Sequence, residues 1–370
     1  MRSLRNSSGV ALSALLLSSL VGMAGVASAG APVNPVATHP IHVRPNASST
    51  PTGLSPSVIK GAYGFSTNPA AGSGQTVAIV DAYDDPNAEA DLGVFTGQYS
   101  LPSCVASNGC FTKVNQTGGT KYPRTDSGWA LEISLDVQWA HAIAPGAKIL
   151  LVEAKSANFS DLMAAEDYAK THANYVSNSW GAAEFSGETA YDSHFVQSGV
   201  SFFVSSGDNG TPAQYPSASP NVISVGGTTL NFSGSTLTSE TGWSGSGGGC
   251  SAYETGTAAQ LGYGTFAQVN CGTKRGTPDV SLDADPASGV SVYDSVRYQG
   301  QLGWWAVGGT SASSPMWAAR SADSGANVNA AYVYANNITF RDITSGNNGL
   351  PCLTGYDLVT GLGSWTGATP

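Results

Sequence analysis

The sequence predicts an α/β domain built on a mostly parallel sheet with helices on both faces. Two patterns carry that expectation. Short apolar runs bounded by Gly, Ser and Pro turns recur from residue 75 onward, and segments of helical spacing separate them. Such alternation gives strands joined by crossover helices, hence a parallel sheet buried on both sides. Composition agrees: 41% hydrophobic residues supply a core, while only 11% of the 370 residues are charged, so wholesale disorder is excluded.

Residues 1–29 read as an export signal. Arg2 and Arg5 precede an apolar run over 10–26, and Ala27-Ser28-Ala29 is a small-residue cleavage site. The run is short and broken by Ser and Gly, so a membrane anchor is the weaker reading. Residues 30–56 are rich in Pro, Ser and Thr and read as a flexible leader or linker, with His39 and His42 solvated. The folded domain is expected over 57–370. QTVAIVDAY (75–83) is a buried strand, and a helix follows Pro86. WALEISLDVQWAHAIA (129–144) has helical periodicity and stops before Pro145-Gly146. KILLVEA (148–154) is a strand, and 159–172 a helix. YVSNSW (175–180) is a strand, followed by a helix over 191–197. VSFFVSSGD (200–208) and NVISVGG (221–227) are further strands. Ligands of such sheets bind at the carboxyl ends of strands, and the polar clusters fall there.

Fifteen basic residues against 25 acidic ones give a net charge of −10. No basic stripe is present, which excludes a nucleic-acid binder. Low charge density suits work in acid, where dense carboxylates lose their pairings. Five cysteines fit an oxidising compartment. Cys104 with Cys110 and Cys250 with Cys271 are the expected pairs. Cys352 is then a free buried thiol, or the connectivity differs.

GGTSASSP (308–315) is the strongest local motif. The apolar run 304–307 leads into it and Pro315 is expected to start a helix, so Ser311 sits at a strand-to-helix turn. Small neighbours let a substrate approach, and a helix N-terminus favours developing negative charge. Read as structure only, the serine is a helix cap. A serine nucleophile needs a base. His141, His172 and His194 stand in no motif that marks a catalytic histidine. Glu132 and Asp136, four apart on the expected helix, share one face among largely apolar neighbours. Desolvated, they share a proton and split their titrations, so one serves as base and the other orients it. The alternative is two surface acids. Asp208, in SSGDNG (205–210), is a turn residue or a protonated donor to an oxyanion.

GGTSASSP, the Glu-x-x-x-Asp pair in WALEISLDVQ, and SSGD together resemble the sedolisins, the serine-carboxyl peptidases, over about residues 57–370. The resemblance implies a subtilisin-like fold. It also implies Ser311 as nucleophile, Glu132 as base, Asp136 as orienting acid and Asp208 as oxyanion stabiliser. By the same resemblance SNSWG, with Ser179, Trp180 and Gly181, is the edge that pairs with extended substrate. Gly248, in GSGGGCS, belongs to the opposite wall. Asp342, Ile343, Leu353, Gly355 and Asp357 resemble the family's calcium loop, with carboxylates from the aspartates and carbonyls from the others. The family often has Gly where Leu353 stands, and without the family the two aspartates read as turn residues.

The expectation is thus a secreted, acid-active, monomeric endopeptidase holding one structural Ca2+. Its substrates are proteins or peptides, and it binds neither nucleic acid nor, once the signal is removed, membrane. Family members usually carry a long folded pro-domain, and the about 27 residues of 30–56 are too few for one. Two rival readings are a histidine-triad peptidase of subtilisin type and an inactive extracellular binding protein on the same fold.

Overall fold

The structure, a computed structural model, describes residues 34–39, 41–44 and 46–367. The signal-peptide reading of 1–29 lies outside them. The strands that frame the site are β1 (His42–Val43), β2 (Thr76–Ala82), β3 (Phe111–Asn115), β4 (Lys148–Ala154), β5 (Tyr175–Asn178), β6 (Ser201–Ser205), β7 (Ile223–Ser233), β8 (Val280–Asp283), β9 (Val290–Tyr298) and β10 (Gln301–Gly308). The helices are α1 (Pro56–Tyr63), α2 (Ala88–Tyr99), α3 (Ser127–Ile143), α4 (Phe159–Ala169) and α5 (Thr310–Ser324).

A parallel sheet runs in the order β8-β7-β6-β5-β2-β4-β3, extended beyond β8 by short pieces at 364–365 and 340–341. Its strands are β-branched and aromatic on both faces because both are covered. Val77 and Ile79 pack with α3, while Ala78 and Val80 pack with α4. The subtilisin-like α/β expectation is met. A buried ion pair ties β8 to β7: Arg275 holds Asp279 Oδ2 at 2.5 Å, and the same oxygen accepts from Ser224 N at 2.7 Å. Asp279→Ala leaves that guanidinium buried and unpaired, so a loss of about 3–5 kcal/mol is expected from urea unfolding.

Helix α3 is buried over Trp129–Ile143. It lies between the sheet, α5 and the β9–β10 hairpin, which explains why it is apolar all round. Asp126 caps it, accepting from Gly128 N and Trp129 N. Gln138 exchanges two hydrogen bonds with the Tyr293 backbone, at 2.7 and 2.9 Å, and fixes the helix's rotation against β9. The polar face this leaves pointing inward carries Glu132 and Asp136, so they are not surface acids.

The structure corrects several expectations. Helix α5 begins at Thr310, not at Pro315, which lies inside it. Ser311 is therefore in the first helical turn. Proline has no N–H, so the carbonyl four residues back, that of Ser311, has no helical donor. The Ser179 hydroxyl donates to it instead, at 3.3 Å. The helix expected over 191–197 is a 3-10 helix at Glu188–Phe195.

The leader is not a free linker. Val36 bridges Asn158, Thr38 bridges Gly181, β1 pairs with β10, and Leu54 bridges Val290. Pro-, Ser- and Thr-rich composition marks an extended chain, and an extended chain is what a sheet edge accepts. Both expected disulfides form, and Cys352 is a buried free thiol. Among the described residues no helix is long and apolar enough to cross a membrane.

Candidate active site

Three segments meet at the N-terminus of α5. The first is the turn after β6. Gly207 there has φ +106°, and a Cβ would meet the Gln214 amide at 2.5 Å, so the turn needs glycine. The turn presents Asp208 to Thr310. Thr310 N donates to Asp208 Oδ1 at 2.8 Å, and Thr310 Oγ1 lies 2.8 Å from the same oxygen. Asp208 Oδ1 is thus an acceptor, and the acid's proton belongs on Oδ2, which has no hydrogen-bond partner among the described residues. Burial holds Asp208 well above the usual carboxyl range; Thr310's donors oppose this and the charge of Glu132 adds to it.

The second segment is α3. Glu132 and Asp136 are fully buried, and Asp81, at the end of β2, is the third member of their group. None of these three carboxyls has a hydrogen-bond partner among the described residues. Burial raises Asp136 and Asp81 well above their ordinary values. The charge of Glu132 raises both further, that of Asp81 adds to Asp136 and that of Glu153 to Asp81, while the Ser179 hydroxyl beside Asp136 opposes the shift there. Asp81 and Asp136 therefore favour their protonated forms. No motif singles out Asp81. Its signal in the sequence is an acid closing an apolar strand, VAIVD, where a buried carboxyl needs a reason.

The third segment is β5 and its continuation. Ser177 Oγ lies 2.9 Å from Ser314 Oγ, and Ser179 reaches Ser311's carbonyl, so this strand end is pinned to α5. Ser311 is fully buried and its Oγ has no partner among the described residues. Gly181 exchanges backbone bonds with Thr38, 2.9 Å from Thr38 N and 3.1 Å to Thr38 O. It acts as an edge for an extended chain. The Trp180 indole instead points into the core and donates to Val80 O at 2.9 Å. Gly248 donates to Gly210 O, and a Cβ there would collide with Leu358 O, so it packs the Asp208 turn against the C-terminal loop.

The leader lies across these groups. His39 Nδ1 is 3.6 Å from Glu132 Oε2, and His42 Nε2 is 3.3 Å from Asp208 Oδ2. Neither histidine is a solvated linker residue. The other histidines are engaged elsewhere: His141 with Pro102 O, His172 with Tyr168 O, and His194 with Asp167. None of those contacts involves Ser311.

At the C-terminal loop, Asp357 is buried. Its Oδ1 accepts from Val359 N and Thr360 N and its Oδ2 from Leu353 N, while Asp342 Oδ2 accepts from Gly355 N at 3.0 Å. Two carboxylates therefore converge on the turn 353–357, beside Ile343. Neither is paired with a cationic side chain among the described residues. The oxygens of these two carboxylates, with backbone carbonyls of the same loops, are the donor type that a hard cation takes.

A serine in the first turn of α5, an acid bonded to the residue before it and a buried carboxyl group on α3, which packs against α5, define a candidate serine-hydrolase centre. The subtilase family model matches residues 115–334. The chain is 31% identical to kumamolisin of Bacillus sp. (strain MN-32) over 86% of its own length and 63% of that protein's. It is 28% identical to xanthomonalisin of Xanthomonas sp. (strain T-22), over 82% of its length and 44% of the relative's. The chain thus spans less than two thirds of either relative. A solved Pseudomonas sedolisin, a serine-carboxyl proteinase complexed with pseudo-iodotyrostatin, superposes with a TM-score of 0.68 at 27% identity. That match covers 85% of this chain and 96% of that one. The chain belongs to the subtilase family and, within it, to the sedolisins.

Proposed function

We propose that this chain is a secreted serine-carboxyl endopeptidase that cleaves extended protein segments in acid. The observation that supports this best is that Glu132 and Asp208 both lie under an extended stretch of chain bonded to Gly181 on one side and β10 on the other, with Asp208 bonded to Thr310, the residue before Ser311. On this reading Ser311 Oγ attacks the scissile carbonyl and gives its proton to Glu132. Asp136, with Asp81 behind it, orients Glu132 and exchanges the proton of the group. Asp208 Oδ2–H donates to the oxyanion, as an amide does elsewhere. Glu132 then returns the proton to the leaving amine, and water resolves the acyl-enzyme by the same steps reversed. Digestion of denatured casein by the pure protein from pH 3 to 8 tests this. Cleavage confined to the acid side is expected, and no cleavage at any pH leaves a binding protein.

We also propose that one structural Ca2+ is held by the carboxylates of Asp342 and Asp357 and the carbonyls of Ile343, Leu353 and Gly355. When bound it neutralises two converging acids. Chelation should lower the melting temperature, because a ligand of the native state stabilises by mass action. An unchanged melting temperature in excess chelator, with no calcium by elemental analysis, removes the assignment.

A further inference from the structure

A pocket of about 600 Å3 opens at the carboxyl end of the sheet, between the ends of β2, β3 and β4. Tyr83 and Tyr122 form part of its wall, and three cations stand around it: Lys121, Arg124 and Lys155. Acids outnumber bases 25 to 15 in this chain, yet none of the three is in an ion pair among the described residues. Their backbones are held in place. Asn115 Nδ2 donates to Lys121 O at 3.0 Å, and Lys155 N donates to Gln116 Oε1 at 2.6 Å, so the end of β3 brackets both lysines around one space. Arg124 O accepts from Asp84 N at 3.2 Å, and its guanidinium lies over the Tyr83 ring, 4.9 Å from the centroid.

The acids nearby are already engaged. Glu153, in the pocket wall, lies 3.1 Å from Lys113, and burial pushes its carboxyl up to about 8 although Lys113 opposes this, so in acid it adds no negative charge. Asp84 holds Lys113 at 2.5 Å, and Asp161 accepts from Gln116 Nε2 and Ser156 Oγ. Lysine and arginine keep their protons in acid, so the pocket stays cationic there. It also adjoins the cleft. Lys155 and Ser156 lead into an edge that holds an extended chain: Ala37 N donates to Ala157 O at 2.8 Å and Phe159 N to Pro35 O at 2.9 Å. Val36 bridges Asn158 in antiparallel fashion, so three residues along each chain position 39 faces position 155. His39 is the residue beside Glu132. Tyr83 meets Trp129 edge-on at 6.2 Å, and Trp129 meets His39 edge-on at 4.8 Å.

We propose that this pocket is an anion subsite: it takes a carboxylate or phosphate-ester side chain of the substrate, from the N-terminal side of the bond that is cut. An extended chain meets Glu132 at position 39 and Asp208 only later, at position 42, which puts the pocket on that side. The identity of the ligand rests on the peptidase reading; the charge of the pocket does not. A guanidinium takes either group through paired N–H bonds, and the two lysines add compact positive charge. At about pH 5 an aspartate is ionised and a phosphate ester carries at least one charge, so both are anions where the three cations are still charged.

Two measurements test the subsite. In the first, peptide pairs differing only in Asn against Asp, or Ser against phosphoserine, at each of the four residues before the cut bond are digested together at about pH 5. At one of these positions the anionic peptide should have a kcat/KM about tenfold above its neutral partner, carried by KM. Lys121→Gln with Lys155→Gln, at two exposed positions where the fold has little to lose, should shrink that ratio, and adding Arg124→Gln should erase it. A preference for only one of the two anions keeps the subsite and narrows its ligand to that class. Equal rates within every pair, or a preference that survives the triple variant, overturns it. The second measurement needs no catalysis. In the full chain carrying Ser311→Ala, a phosphoserine peptide should slow acetylation of Lys121 and Lys155 by acetic anhydride, and leave Lys148, exposed at the opposite end of β4, unprotected. Equal acetylation of all three with and without the peptide overturns the anion site. Absence of any cleavage by wild type would instead sink the peptidase reading and leave the protection measurement to decide the site.

Discussion

Ser311→Ala is expected to abolish peptide cleavage while leaving the fold untouched. The hydroxyl is the attacking group, and the loss should be on the order of 10⁶-fold in kcat, the scale seen when a serine peptidase loses its nucleophile. The structure argues that stability will not follow. Ser311 Oγ is buried without a partner, so its removal breaks no hydrogen bond and relieves an unpaired polar atom. The Ser179 contact survives, since it is made to the backbone carbonyl. An internally quenched peptide assayed at the wild-type optimum, beside a thermal melt, separates the two effects. Wild-type turnover by the alanine variant would remove Ser311 from the mechanism. A collapsed melting temperature would mean that the side chain holds the α5 turn in a way the geometry does not suggest.

The parallel sheet was legible in β2, β4, β5, β6 and β7, each an apolar run closed by a turn, whereas β3 and β8, short and mixed in polarity, were not read and β7 runs on past its apolar part to Ser233. Helix α3 was legible as a helix but not as a fully buried one. Its apolar all-round composition was the sign, and the Glu-x-x-x-Asp spacing kept the two acids on one face either way. Asp208 was found because a motif surrounds it, whereas Asp81 was not, since one acid at the end of a strand has no local pattern. Its meaning comes only from α3 packing opposite β2. The start of α5 was misplaced because proline favours the first helical turn; here it stands further in, tolerated because Ser179 takes up the carbonyl that it orphans. The leader was the largest miss. Its composition says only that it is extended, and the pairing with Gly181 and Gly308 is a long-range choice that periodicity in residues 30–56 does not encode.

The second large effect concerns the alkaline limb of activity. An ionised Asp208 has no proton to donate and repels an oxyanion, so activity requires its protonated form. Burial raises Asp208 well above the ordinary carboxyl value. A group that must be protonated supports turnover below its folded pKa and fails as pH rises through it. The limb should therefore lie above the roughly pH 3–5 window that reference values would give. The base must at the same time be able to accept the serine's proton, which fails in strong acid, and that sets the acid limb. Asparagine at 208 can accept from Thr310 through its oxygen and point its amide at the cleft, donating at any pH. Asp208→Asn should lose less at the optimum than the roughly 10²–10³-fold that deleting an oxyanion donor costs, and Asp208→Ala should show that full loss. At pH 6 and above the Asn variant should keep a larger fraction of its own maximum than wild type keeps. If the normalised profiles superimpose, ionisation of Asp208 does not set the limb, and the raised carboxyls of Asp81 and Asp136 must set it instead.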